Sequence, residues 1–138
     1  MTRVGMLIAI VMTAGVPTAV HVCGACVEDK VAATYDHAVI HTAIAKRQQV
    51  VFVAVDGVVD VNKIGARISA AAPKVRGVVA GTLRTSVVPP AFSFGLESAE
   101  NPEHAVAGFR KTLEDSGARL TMVRIMRDGA LIEPHERR

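Results

Sequence analysis

The clearest hydrophobic pattern begins at Val50. Val50-Val-Phe-Val-Ala-Val55 is an unbroken apolar, largely β-branched run, which suits a strand covered on both faces. Gln48-Gln49 precede it and Asp56-Gly57 end it. Val61, Ile64, Ile68 and Ala71 then recur at helical spacing, predicting a helix over Val61 to Ala72 that Asp60 caps and Pro73 stops. A second strand falls between Val75 and Ser86, blurred at its start by Gly77 and Gly81, and Pro89-Pro90 make a turn. Phe92, Phe94 and Leu96 alternate with Ser93 and Gly95, the pattern of a strand with one buried face. Asn101-Pro102 opens another helix, whose buried edge is Val106, Phe109 and Leu113 and whose left-handed stop is Gly117. Leu120 to Met126 is the last strand, and Asp128-Gly129 turns the chain into a polar tail (residues 128–138) with little predicted structure.

Ahead of this block, Glu28 to Arg47 contains neither Gly nor Pro and reads as one helix of about five turns. Glu28 and Asp29 lie in its first turn and Lys46 and Arg47 in its last, matching the helix dipole. Val27, Val31, Tyr35, Ala38 and Ala45 share an apolar face, while Lys30, Thr34, His37 and His41 form a polar stripe.

Arg3 is followed by Val4 to Val20, a run without any charged residue that Gly15 and Pro17 interrupt. A basic start, an apolar core and small residues are the features of a secretory leader, so residues 1–20 are expected to direct export to a periplasmic or extracellular space. An uncleaved membrane anchor is the alternative, and would be the only link to a membrane.

Composition narrows the class. The chain has 138 residues, 50% hydrophobic and 21% charged, enough for one globular domain with its own core. With no Trp, one Tyr, four Phe and a net charge of +3, it lacks both the stacking platforms and the basic stripe of a nucleic-acid surface. Glycine-rich phosphate loops, G-x-S-x-G and H-E-x-x-H are all missing, so an ordinary hydrolase or transferase has little support.

The predicted fold class is therefore α+β: residues 50–127 form a ferredoxin-like βαββαβ sandwich, preceded by the leader and by one extra long helix within residues 21–49. Val50 to Met126 resembles the heavy-metal-associated domain of copper and mercury chaperones and of the N-terminal repeats of metal-pumping ATPases. Phe92-Ser-Phe-Gly-Leu-Glu-Ser-Ala-Glu-Asn-Pro-Glu-His-Ala-Val106, then Phe109 to Gly117, looks like that family's third strand and second helix. The resemblance covers about half the chain. It departs at the family's metal loop, between first strand and first helix, where this chain has Asp56-Gly57-Val58-Val59-Asp60 and no thiol. The Cys-x-x-Cys stands one helix earlier instead, at Cys23 and Cys26. A second resemblance is to thioredoxin-like proteins, which also open a long helix with a Cys-x-x-Cys, but which end on a helix where Leu120 to Met126 reads as a strand.

Cys23-Gly-Ala-Cys26 holds the only two cysteines of the chain. Two thiols at this spacing can grip one soft metal ion, Cu(I) or Zn(II), or form a reversible disulfide. A helix start favours the thiolate that both chemistries need. So short a loop gives little chain-entropy stabilisation, which points to chemistry rather than stapling. His21 offers a third ligand. His37 and His41, four residues apart on one helix face, offer a secondary site for Zn(II) or Cu(II). His37 lies eleven residues beyond Cys26, about 16 Å along a continuous helix, too far to share one ion with it.

Three functions follow. The first is an exported soft-metal-binding protein, a metallochaperone that passes its ion to a metal transporter or acceptor protein. The second is a thiol–disulfide protein in which Cys23 attacks and Cys26 resolves. The third is a metal-free interaction module. In a ferredoxin-like sheet both helices lie on one side, so the bare face must be covered, by the N-terminal helix or by a second copy in a homodimer.

Overall fold

The computed structural model describes residues 26–57 and 60–134. Residues 1–20, expected to be a leader, lie outside the described residues, as do His21, Cys23 and the chain end beyond residue 134. Among the described residues there are four α-helices and five strands: α1 (Val27–Thr34), α2 (His37–Ala45), β1 (Gln49–Asp56), α3 (Val61–Ala71), β2 (Arg84–Val87), β3 (Pro90–Leu96), α4 (Pro102–Thr112), β4 (Arg119–Arg127) and β5 (Ala130–Ile132). The fold is α+β, with one antiparallel sheet ordered β2-β3-β1-β4-β5. Its first four strands, linked through α3 and α4, are compatible with the expected ferredoxin-like sandwich.

Three of the four helices are capped by a side chain, and two of these starts behave as the sequence indicates. The Asp60 carboxylate accepts the amides of Asn62 and Lys63, and the Asn101 side chain accepts that of Glu103. The third was hidden. The predicted single helix from Glu28 to Arg47 is broken at Tyr35-Asp36, both in extended conformation, because Asp36 caps a new helix by accepting the amides of Ala38 and Val39. A short acceptor side chain competes well with helix continuation there, even without Gly or Pro.

The break re-phases the faces. Val31, Ile40 and Ala43 are buried, with Val27 and Val39 packed beside them, whereas Tyr35, Ala38 and Ala45 of the predicted apolar stripe are exposed. Lys30 and Thr34, assigned to the polar stripe, are buried instead.

α1 and α2 lie on the sheet face opposite α3 and α4, and each face has its own core. Val51, Val53 and Val55 point towards α3 and α4, where Phe92, Phe94 and Phe109 cluster with ring centroids 5.0–6.0 Å apart. Val50, Phe52 and Ala54 point the other way, towards Val31, Ile40 and Ala43. The apolar run on β1 is thus buried on both sides, as its composition implies.

β3 is also buried on both sides, which corrects its one-faced reading: Ser93 is 2% exposed because α1 covers it. In β4 a bulge falls between the pairs Phe52–Arg124 and Val53–Met122, leaving Val123 as the extra residue. The bulge shifts the alternation by one residue, so that Ile125 joins Leu120 and Met122 in one core while Met126 joins Val123 in the other.

The predicted polar tail contains a further strand. Asp128 (φ 50°) and Gly129 (φ 80°) form a two-residue turn, and β5 pairs back onto β4. Only Arg84–Val87 of the vague second strand is regular, since Gly77 and Gly81 adopt positive φ before it. Val88-Pro89 make the β2–β3 turn, and Pro90 opens β3.

Candidate functional site

Cys26 is the N-cap residue of α1 and is partly exposed. Its carbonyl accepts the first helical bond, from the amide of Lys30 at 3.3 Å. Glu28 and Asp29 occupy the first turn, as the sequence indicates.

What fixes this end of the helix is electrostatic as well as apolar. Lys30 is 8% exposed, and its ammonium lies 3.7 Å from the Asp56 carboxylate at the end of β1. Glu28 accepts a 3.3 Å bond from Arg124 of β4, which also lies 3.6 Å from Glu133. At the other end, Ser93 donates to the Thr34 carbonyl at 2.7 Å, and Arg84 Nε donates to Asp36 at 2.7 Å. α1 therefore crosses the sheet with both ends tied, and Cys26 stands on its β1/β4 side. The Arg84 guanidinium and the two capping amides hold the Asp36 carboxyl below its usual value of 3.8.

Asp56 is also the residue before the Gly57 turn, so the start of α1 is anchored where the chain leaves β1 for α3. Gly57 has φ +109°, and a Cβ there would lie 2.7 Å from the Gly117 carbonyl oxygen. Only glycine fits that crossing of the β1–α3 and α4–β4 connections.

An apolar groove of about 550 Å³ borders the start of α1, lined by Val27, Val31, Tyr35, Arg124 and Leu131. It was not legible in the sequence, because Arg124 and Leu131, which face α1 across it, belong to the unforeseen β4–β5 hairpin. Gln49 was likewise missed. It is 2% exposed; its amide donates to the Glu100 carbonyl at 3.0 Å, and its oxygen accepts from Arg127 at 2.6 Å, stitching β1 to the loop before α4.

The remaining predicted site residues separate. His37 and His41 are both exposed on α2, beyond the Asp36 break, with ring centroids 6.3 Å apart. No group of three or more His, Cys, Asp or Glu side chains positioned for a metal occurs among the described residues, so Cys26 does not share a site with the histidine pair there. His104 is exposed on the first turn of α4. No described helix is long and apolar enough to cross a membrane.

Comparisons with protein-family models, with curated proteins and with solved structures found no match.

Proposed function

We propose that this protein is a small soft-metal-binding protein in which Cys23 and Cys26 hold Cu(I) or Zn(II) as cargo, with His21 as a third ligand. The single observation that supports this most is the anchoring of α1. The Lys30–Asp56 pair links the turn after Cys26 to the end of β1, which begins the connection where heavy-metal-associated domains carry their metal loop. A ferredoxin-like sandwich with a thiol hook on an added helix would thus offer its metal near the customary edge by a different segment.

The chemistry follows from the position. A thiol at the start of a helix meets the positive end of the helix dipole, which favours thiolate. Two thiolates bind a soft ion without needing a rigid cage, and an incoming thiolate from an acceptor can replace them one at a time. Export through residues 1–20, and delivery to a metal transporter or other acceptor, belong to the same proposal. Thiol–disulfide exchange uses the same two sulfurs, but α4 leads into β4, which pairs beside β1 within the sheet, and that favours the sandwich reading.

The test is a competitive Cu(I) titration of the reduced full chain beside its Cys23→Ser/Cys26→Ser variant. The expected result is one Cu(I) per chain, lost in the variant. Equal binding by both, or by neither, overturns the proposal, and insulin reduction at a measurable rate would support exchange chemistry instead.

A further inference from the structure

We infer that His37 and His41 form a second metal site, separate from the cysteine pair, for a borderline divalent cation, Cu(II) before Ni(II) or Zn(II). Both rings are exposed, one turn apart in α2, with centroids 6.3 Å apart. Metal–nitrogen bonds of about 2.0–2.1 Å bring the centres of two imidazoles on one ion to about 4.5–5.2 Å at right or tetrahedral angles. Rotation about the side-chain torsions of two exposed residues closes a gap of about 1–2 Å without moving the helix.

The surroundings define the donor set. The carboxylate that adjoins the pair in sequence, Asp36, is engaged: Oδ1 accepts the amides of Ala38 and Val39, and Oδ2 accepts from Arg84. No third His, Cys, Asp or Glu completes a group among the described residues. The described residues therefore present two imidazole nitrogens and leave the other positions to water. Such a set selects ions that prefer imidazole over Mg²⁺ and Ca²⁺, which require oxygen ligands, and ranks Cu(II) first among divalent ions. His37 is the first residue of α2 and His41 closes its first turn, so a chelate across them also pins the helix start just after the break. Binding that favours the folded chain raises its thermal midpoint.

The test uses the full chain carrying Cys23→Ser/Cys26→Ser, so that thiols neither bind nor reduce the probe, titrated with Cu(II) by calorimetry and followed by electron paramagnetic resonance. The expected result is one Cu(II) per chain with two coordinated nitrogens and a midpoint that rises with Cu(II) concentration. Either His37→Ala or His41→Ala should weaken binding by about tenfold or more and remove one nitrogen from the spectrum. Moving the second ring off the face with His41→Ala/Thr42→His should weaken it equally while leaving the helix formed by circular dichroism. Unchanged affinity in the His37→Ala/His41→Ala form, which would assign the ion to His21, His104, His135 or the chain terminus, overturns the inference. So does tight binding by the relocated variant, or no binding by the parent.

Discussion

The Ser93 hydroxyl, buried in the middle of β3, donates a 2.7 Å hydrogen bond to the carbonyl of Thr34, the last residue of α1. That carbonyl is one of the groups a helix end leaves without an intrahelical partner, and it lies under the helix rather than in water. Ser93→Ala removes its donor and should destabilise the fold by about 1–2 kcal/mol in urea unfolding. A change smaller than about 0.3 kcal/mol would show that α1 does not rest on the sheet at this point.

The two cores predict which residues of the N-terminal helices matter. Ile40→Ala empties a position that is 6% exposed and should cost about 2–4 kcal/mol. Ala38→Lys lies on the exposed side of α2 and should change stability by less than about 0.5 kcal/mol. Under the continuous-helix pattern Ala38 would be the costly site, so the pair of variants separates the two registers in one experiment.

That contrast also measures how much of the molecule the sequence discloses. β1, α3, α4 and β4 are legible because each has a long, regular apolar pattern and a local start or stop signal: Asp60, Pro73, Asn101-Pro102, Gly117. The α1/α2 break is not, because Asp36 ends one helix and starts another without any Gly or Pro, and only its bonds to Ala38, Val39 and Arg84 distinguish a cap from a solvated acid. Lys30 and Ser93 look like surface residues because their partners, Asp56 and Thr34, are 26 and 59 residues away. β5 did carry a signal, Asp128-Gly129 followed by the apolar Ala130-Leu131-Ile132, which the charged chain end obscured. Of the candidate sites, the helix-start position of Cys26 and the shared face of His37 and His41 were legible, whereas the ties that orient α1 were not.

Asp36 carries a pH dependence. Its carboxyl titrates below 3.8 in the folded chain, first because of the Arg84 hydrogen bond. A depressed carboxyl contributes stability above its unfolded value and loses it as pH falls through the folded one. Asp36→Ala should therefore be less stable than the parent at neutral pH, with the difference shrinking at about pH 3, although a protonated carboxyl still caps weakly. Urea midpoints at both pH values test this, and a constant difference would show that the fold does not favour the ionised form of this carboxyl.

Two glycines should respond in opposite directions. Gly57→Ala forces a Cβ into a φ of +109° and against the Gly117 carbonyl, and should cost about 1–3 kcal/mol. Gly65, inside α3, has nothing within 4 Å of the position its Cβ would take. Gly65→Ala should stabilise by about 0.5–1 kcal/mol through helix propensity. Loss of stability at Gly65 would mean that this helix face is covered by something else.

The Lys30–Asp56 pair is asymmetric, with side-chain exposures of 10% and 43%, and the asymmetry sets the order of its variants. Asp56→Asn leaves a buried ammonium without its counter-charge, a loss of about 1–3 kcal/mol. Lys30→Met removes the buried charge, keeps the apolar stem and leaves Asp56 to solvent, so it should cost less than about 1 kcal/mol. If the pair also orients the start of α1 for the cysteine hook, both variants should weaken Cu(I) binding by about tenfold or less, in the way that outer-shell partners tune a metal site. A pair serving stability alone would give the same order of unfolding energies and an unaltered Cu(I) affinity, and that result would detach Lys30 from the proposed site while leaving its role in packing α1 intact.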